Sequence, residues 1–328
     1  MNTVFYANGR LHRLGTDYDQ TVARGDAQAL IPEDASREII KGVTESSIVM
    51  RLARRLPNMP RSQRRMPVQS SLATAYFVNG DIGLKKTTKL DWKNKFLDAE
   101  EIAVIMPIAK RVLDDADYDI WGEARPQLVE AVGIAFDDAV FFGTGAPAIW
   151  PTNLRQAAIN AGNRVVLGTG TDLYADIMED GGLLNKLELD GYDCTGHVAP
   201  MTFKSMLRGV RDAEGTPIFR QGMAERTRYS LDGVDIEFPR NGVMDPALAY
   251  DICGQWDALV WALRTDLEWT LLKESVIQDN TGAIIYNLSQ MEMVALKVLI
   301  RVAWQVPNPI NRLQETEANR YPFAVLTP

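Results

Sequence analysis

The sequence predicts an α+β protein in which one long helix is set between β-rich segments. Three observations lead to this class. Apolar residues recur every three or four positions over residues 120–142, as they do on the buried side of a helix. Helical patterns then alternate with short apolar runs over residues 165–263. Finally, two β-rich runs at 267–277 and 284–306 flank the turn-forming residues 278–282, so we expect them to pair as a hairpin.

The first third of the chain is expected to be extended. An arm leads into a short amphipathic helix at 33–45, which carries acidic residues in its first turn. Residues 66–97 predict a long two-stranded excursion that turns at 78–81 and offers little to bury. The apolar, β-rich residues 98–107 are expected to bring the chain back into a core.

The long helix at 120–142 has recognisable ends. Pro126 is expected in its first turn, where the missing N–H costs nothing, and Gly143-Thr144-Gly145 ends it. Beyond this point the chain is expected to mix helices and strands. Helical patterns cover 171–190, 201–211 and 246–263, and short strands cover 165–167, Val198 and 234–238.

Positive charge is concentrated between residues 51 and 95. Eleven basic residues against two acidic ones give this segment a net charge of +9, and the −8 of the whole chain leaves −17 for the remainder. Nucleic-acid binding is one interpretation, but the segment lacks regularly spaced aromatic residues and any helix-turn-helix or zinc-finger spacing. A solvated charged face is the second. The third, which we prefer, is a basic projection that docks on an acidic surface of an identical neighbour.

The candidate contact residues of this projection are basic side chains together with one tryptophan. They are Arg51, Arg54, Arg55, Arg64, Arg65, Lys85, Lys86, Lys89, Lys93 and Trp92.

No catalytic site, metal site or cofactor is predicted. The chain has two histidines, His12 and His197, and two cysteines, Cys194 and Cys253, without CxxC spacing. A disulfide or a structural zinc site is therefore not expected, and both cysteines are expected to be small buried residues. His197 is expected to be a hydrogen-bonded structural residue beside a strand.

Three further motifs are interpreted as structural. Gly143-Thr144-Gly145 and Gly168-Thr169-Gly170 lack the third glycine of a dinucleotide site and the Gly-Lys-Ser/Thr of a P-loop, so we expect helix ends and turns. Asp115, Asp117 and Asp119 alternate as in a calcium loop. Because the glycine and the glutamate of such a loop are missing downstream, we expect a capped, acidic approach to the long helix.

The composition, 46% hydrophobic and 24% charged, is that of a soluble folded protein. No apolar run has the length of a signal peptide core or of the roughly 20 residues that cross a bilayer. The protein is therefore expected to be made and to stay in a cytoplasm, without a membrane partner.

Two stretches of the sequence resemble a known family. The first contains AEEIAVIMPI at 99–108, VLDDA at 112–116 and DDAVFFGTG at 137–145. Their order is similar to the return strand, spine helix and glycine-rich exit of the major capsid proteins of tailed double-stranded DNA phages, which have the Hong Kong 97-type fold.

The second stretch lies further along the chain. HVAP at 197–200 precedes DAEGTPIF at 212–219 and a strand at 234–239, which resembles the strand, helix and D-x-x-G-x-P-h-F turn of the family's axial domain. The resemblance covers residues 28–328.

The resemblance implies an architecture and a function. The expected regions are an N-terminal arm at 1–60, an extended loop at 61–100, a peripheral domain at 101–160 and 263–306, and an axial domain at 161–262 and 307–328. Such a chain would be a structural protein of the virion, not an enzyme, that self-assembles as homo-hexamers and homo-pentamers into an icosahedral or prolate head. The shell would be built in the host bacterial cytoplasm and would enclose double-stranded DNA without sequence-specific binding.

The resemblance also implies partners. A portal and possibly a decoration protein are expected. Few residues precede the helix at 33–45, so a separate scaffold protein is expected too. Some relatives link their subunits through a lysine, an asparagine and a glutamate, but residues 291–304 contain no asparagine, and Val298 stands at the acceptor position. We therefore expect a shell without covalent cross-links.

Two other classes of protein are compatible with the sequence. An encapsulin, a cellular shell that encloses enzymes, shares the fold but is usually smaller and has a different arm region. An α+β enzyme with an unrecognised site belongs to another class. Electron microscopy of purified particles discriminates between a DNA-filled shell with a portal, a portal-free sphere with protein cargo, and a small oligomer.

Overall fold

The computed structural model describes residues 4–7, 10–13, 47–78, 85–116, 119–211, 229–279 and 281–328. The chain divides into two units, Met1–Lys41 and Gly42–Pro328. In the first unit, strands β1 (Val4–Ala7) and β2 (Arg10–Arg13) form an antiparallel pair. The helix predicted at 33–45 lies outside the described residues, as do most of the turn predicted at 78–81 and the DAEGTPIF turn.

A four-stranded sheet forms one part of the second unit. Its strands, in spatial order, are β3 (Arg54–Arg55), β12 (Val260–Leu272), β15 (Met293–Gln305) and β6 (Glu100–Ala109). β12 and β6 flank β15 in antiparallel pairing, which confirms the strand predicted at 98–107 and the pairing of the two long β-rich runs. The predicted turn joins a smaller hairpin, β13 (Val276–Gln278) and β14 (Ile284–Asn287).

The predicted long helix is present as α3 (Ile120–Phe141), preceded by helix α2 (Lys110–Asp115). Asp119 caps α3 by accepting a hydrogen bond from the Gly122 N–H at 3.0 Å, as the structural interpretation of the acidic residues predicted. The placement of Pro126 in the first turn was wrong: α3 begins at Ile120 as predicted, so Pro126 is its seventh residue and lies in the second turn, inside the helix. Gly143 ends the helix at a φ of 77°.

A six-stranded sheet forms the other part of the second unit. Its strands, in spatial order, are β7 (Arg164–Val166), β16 (Phe323–Thr327), β11 (Asp251–Gly254), β8 (Gly196–Val198), β10 (Val234–Glu237) and β9 (Ser230–Leu231). The helices in this part are α4 (Leu154–Ala161), α5 (Leu173–Met178), α6 (Leu183–Leu189) and α7 (Phe203–Gly209). The strands expected near 165, 198 and 234 are confirmed, as are the helical patterns at 171–190 and 201–211.

The helix predicted at 246–263 was wrong. This segment holds β11, a short 3-10 helix at Trp256–Ala258 and the start of β12. All four residues of β11 are buried, as are the first four of β12. A strand covered on both faces shows a continuous apolar run without alternation, and such a run resembles a buried helix.

The core lies on both faces of the six-stranded sheet. On one face Val198, Ile252 and Val325 join a large cluster that continues into α3 and the four-stranded sheet. On the other face Cys253 and Leu326 pack with the apolar residues of α5, α6 and α7. Within the described ranges no helix combines the length and the apolar character needed to span a bilayer.

An edge-to-face series of aromatic rings connects α3 to the four-stranded sheet. The ring centroid of Trp150 lies 6.0 Å from that of Phe136 in α3 and 6.4 Å from that of Trp304 in β15. Trp304 is 1% exposed. These large rings fill the space between the helix and the sheet.

Candidate intersubunit surface and buried polar sites

The predicted two-stranded excursion is present as a hairpin of β4 (Gln63–Gln69) and β5 (Trp92–Asp98). Beyond these strands the two arms remain connected, since the Ser70 N–H donates to the Asp91 carbonyl and the Asp91 N–H donates to the Ser71 hydroxyl. At the base, Leu97 packs into a small cluster with Met59 and Val260, and further out Val68 is also buried. We call residues 63–78 and 85–98 the extended hairpin.

The outer part of the extended hairpin exposes large apolar side chains. Phe77 is fully exposed, and Trp92 is 63% exposed. Tyr76, Val78 and Leu90 are also exposed, and Phe96 is exposed nearer the base. A hairpin of two strands is marginal in water, and exposed aromatic residues at this density are typical of a surface that another protein covers.

The candidate contact residues lie along this hairpin and beside its base. Those on or next to the outer arms are Lys85, Lys86, Lys89, Trp92 and Lys93, all exposed. Those at or near the base are Arg51, Arg54, Arg55, Arg64 and Arg65, of which only Arg64 is half-buried.

Several of these basic residues have acidic partners within their own chain. Lys93 and Lys95 both contact the Glu317 carboxylate, at 3.0 and 2.7 Å. These two lysines lower the pKa of Glu317. Lys89 pairs with Asp91 at 2.8 Å, and Arg51 pairs with Glu237 at 3.1 Å. Exposed ion pairs of this kind contribute about 0–1 kcal/mol each to stability. They orient the basic side chains but are weak enough for these side chains to bind a second carboxylate as well.

Other members of the set hold the base of the hairpin together. The Arg64 guanidinium donates to the carbonyl oxygens of Pro57 and Asn58, both at 2.9 Å. Arg55 lies over the Trp261 ring, 5.4 Å from its centroid. Arg55 and Arg64 therefore support the base of the hairpin within this chain. Among the described residues, Lys85 and Lys86 have no ion-pair partner, although Lys86 stacks 5.0 Å from the centroid of Tyr76.

A buried carboxylate joins the long helix α3, which we call the spine helix, to helix α1 (Ile48–Leu52). Asp137 is fully buried in α3 and accepts from the Ser47 hydroxyl at 2.5 Å and the Ile48 N–H at 2.8 Å. Gly133 permits the close approach, because a Cβ there would lie 3.1 Å from the Ser47 nitrogen. Burial raises the pKa of Asp137 to about 6, against the lowering effect of its hydrogen bonds. The sequence did not predict this contact, which joins residues 90 positions apart.

We expect the contribution of Asp137 to stability to fall as the pH rises from about 4 to about 7. Because its pKa is raised from 3.8 to about 6, the folded protein holds the proton more tightly than the unfolded chain does. The resulting stabilisation is full below about pH 4 and is lost as the pH passes through about 6. The difference between the two pKa values corresponds to roughly 3 kcal/mol.

The Asp137→Asn variant checks this dependence, since it removes the titrating group and keeps an oxygen acceptor. Melting temperatures of the wild-type protein and the variant should be compared at each pH. The wild-type protein should lose stability relative to the variant as the pH rises. A difference between the two that stays constant across this range would contradict the expectation.

The predicted structural role of His197 is confirmed. It is fully buried, and its Nδ1 lies 2.7 Å from Asp251 Oδ2, while its Nε2 lies 3.4 Å from the Sγ of Cys194. Burial disfavours the imidazolium, but the Asp251 carboxylate raises the pKa of His197. Cys253 is buried as expected, and Cys194 is half-buried. The hydrogen bond from Cys253 lowers the pKa of the Cys194 thiol.

The glycine-rich segment at 168–170 is a turn, as expected. Its backbone N–H groups are not available to a phosphate, because the buried Asp176 carboxylate accepts hydrogen bonds from the Gly168 and Gly170 N–H groups at 2.7 and 2.6 Å. A carboxylate of the chain thus occupies the place that an anionic ligand would need.

Three features together define the class of protein. They are the long helix α3 packed against the four-stranded sheet, the six-stranded sheet with its helices, and the protruding extended hairpin. They are the parts of a shell-forming capsid subunit with the Hong Kong 97-type fold. Residues 27–310 match the Phage capsid family, and the chain belongs to that family.

Individual relatives agree with this assignment. A chain from a solved structure of Microbacterium phage Oxtober96 is 34% identical, with a TM-score of 0.82 over 94% of this chain and 100% of that chain. A chain from Mycobacterium phage Cain is 28% identical, with a TM-score of 0.81 over 94% and 99% of the two chains. The major capsid protein of Staphylococcus phage 80alpha is 23% identical over 309 residues, which are 93% of this chain and 90% of that protein. These matches favour a phage capsid over an encapsulin.

Proposed function

We propose that this chain is the major head subunit of a tailed phage and that it assembles as hexamers and pentamers into a closed shell around double-stranded DNA. The observation that carries the proposal is the extended hairpin, whose outer apolar side chains have little of their own chain to pack against. A closed symmetric shell supplies a neighbour for every hairpin. The major capsid protein of phage 80alpha, similar over most of the chain, gives independent support.

Under this proposal the chain divides into the four regions named above. The six-stranded sheet would belong to the axial domain, and the extended hairpin to the loop that overlaps a neighbour. The peripheral domain would hold α3 and strands β6, β12 and β15, whereas β3 would belong to the N-terminal arm. Lys85, Lys86, Lys89, Lys93 and Trp92 would make the intersubunit contacts at this loop.

The role is structural and not catalytic. A scaffold protein, a portal and a decoration protein are the partners that a shell of this kind would use. The shell would be built in the host cytoplasm and become part of the virion. DNA would be enclosed through its charge and volume and not through its sequence.

Electron microscopy combined with light scattering tests the proposal. Purified protein, with its scaffold and portal partners present, should form closed particles that contain pentamers and hexamers. A monodisperse monomer or dimer that persists under these conditions would overturn the proposal. Portal-free spheres filled with a cargo protein would instead indicate an encapsulin.

We also expect the shell to hold together without covalent links between subunits. Val298, at the position where cross-linked relatives have the acceptor asparagine, is fully buried and has no amide that a lysine could attack. Particles boiled in detergent should therefore release one band at the monomer mass of 36.6 kDa. A ladder of covalent oligomers would contradict this expectation.

A further inference from the structure

Three metal-binding side chains converge in the six-stranded sheet. Cys194 precedes strand β8, His197 lies within β8, and Cys253 lies in the adjacent strand β11. The antiparallel register places Cys253 directly opposite His197, so both side chains point to the same face of the sheet. The Sγ atoms of the two cysteines and a ring nitrogen of the histidine all lie within 4.8 Å of one another.

The spacing of these atoms fits a tetrahedral zinc ion. With Zn–S bonds of about 2.3 Å and a Zn–N bond of about 2.1 Å, a tetrahedral site separates sulfur from nitrogen by about 3.6 Å and sulfur from sulfur by about 3.8 Å. The observed distance from Cys194 Sγ to His197 Nε2 is 3.4 Å. The other two pairs of donors lie within 4.8 Å, at most about 1 Å beyond the tetrahedral spacing.

The surroundings of His197 match those of a metal-bound histidine. Its Nδ1 lies 2.7 Å from Asp251 Oδ2, so in the neutral tautomer with the proton on Nδ1 the Nε2 lone pair faces the Cys194 sulfur. The second oxygen of the Asp251 carboxylate, Oδ1, is buried without a hydrogen-bond partner among the described residues. A fully buried carboxylate with a free oxygen is costly, and a cation held by the neighbouring imidazole reduces that cost.

We propose that Cys194, His197 and Cys253 form a zinc site that fastens strand β8 to strand β11. Two thiolates and an imidazole are the donor set that favours zinc over magnesium or calcium, and binding would release to solvent every proton carried by the two sulfur atoms and by Nε2 of the imidazole. Cys194 is the half-buried member, so a water molecule or another ligand would complete the coordination from its side. The proposed function as a shell subunit does not require this site, and the site would survive the failure of that proposal.

Two other uses of the same residues fit less well. A nucleophilic cysteine activated by His197 and Asp251 would resemble a hydrolase triad, but it would give the second thiol, Cys253, no role. A disulfide between Cys194 and Cys253 would leave the orientation of His197 toward the sulfur unexplained, and disulfides are rare in a reducing cytoplasm. A metal ion uses all three donors.

Metal analysis and cobalt substitution of the purified full-length protein test the proposal. Elemental analysis of reduced protein should find about one zinc per chain. Replacement by Co²⁺ should produce a thiolate-to-metal charge-transfer band and the visible bands of a tetrahedral ion. Because the chain contains two cysteines in all, a thiolate band can arise only from Cys194 and Cys253.

Variants locate the site. The conservative C194S/C253S double variant should lose the bound zinc and the cobalt band. Asp251→Asn, which keeps all three donors, should weaken zinc affinity about 10- to 100-fold without abolishing it. Direct zinc titration of the half-buried single variant Cys194→Ser gives the same information if the double variant fails to fold.

Three results would overturn the proposal. The first is wild-type protein that holds no zinc and gives no cobalt band when reduced. The second is a Cys194–Cys253 disulfide found by mass spectrometry after thiols in freshly isolated particles have been alkylated. The third is full zinc content in the double variant, which would place the metal elsewhere.

Discussion

Replacing Lys85, Lys86, Lys89 and Lys93 by glutamate is expected to abolish shell assembly. These side chains are exposed on the extended hairpin, whereas the chain outside the basic segment carries a net charge of −17. Each exposed ion pair is worth about 0–1 kcal/mol, but under the proposed function charge reversal would replace four attractions by repulsions at every subunit contact of the shell. Particle yield, measured by sedimentation and electron microscopy, should fall to background.

Two control variants separate charge from fold. Arginine at the same four positions keeps the charge and should assemble at a yield close to that of the wild type. The double change of Lys85 and Lys86 to glutamate leaves the pairs of Lys89 with Asp91 and of Lys93 with Glu317 intact. The double variant should still impair assembly. The effect should be larger at low salt, because at moderate ionic strength salt screens charges beyond roughly 8–10 Å, and at low salt the repulsion reaches further. Normal yields from the quadruple glutamate variant would show that these lysines face solvent.

Trp304→Ala is expected to destabilise the subunit by about 3–5 kcal/mol, the cost of truncating a large buried aromatic residue. Trp304 is 1% exposed and packs edge-to-face on Trp150, which in turn contacts Phe136 of the spine helix. The truncation would leave a cavity between the helix and the four-stranded sheet. Since domains are stable by about 5–15 kcal/mol, this loss should lower the yield of soluble protein several-fold.

Trp304→Phe is the matched control for this prediction. The indole Nε1 of Trp304 has no hydrogen-bond partner among the described residues, so phenylalanine loses volume but no hydrogen bond. Its melting temperature should lie between those of the wild type and the alanine variant. Equal melting temperatures for the wild-type and alanine proteins would show that the space refills without cost.

The elements predicted best from the sequence are those with one buried face. In α3, Leu128, Val132, Phe136 and Val140 recur every four residues and are all buried, so the helical period is visible in the sequence. The extended hairpin was predicted from its turn composition and its alternating second strand. The prediction of a helix at 246–263 was wrong because the strands there are covered on both faces, which removes the alternation of apolar and polar residues.

The contacts that could not be predicted join residues far apart in the sequence. Lys93 meets Glu317 across 224 positions, and Asp137 meets Ser47 across 90. Cys253 joins Cys194 and His197 only through the register of two strands that are not consecutive in the chain. Spacing rules for metal sites assume short intervals and therefore missed this cluster.

The order of strands in the two sheets has a consequence for protein synthesis. In each sheet an interior position is filled by a strand from the last third of the chain: β15 lies between β12 and β6, and β16 lies between β7 and β11. Neither sheet can close until residues 293–305 and 323–327 have left the ribosome. The fold is therefore completed only at the end of translation, and a chain terminated before residue 293 would lack an interior strand of both sheets.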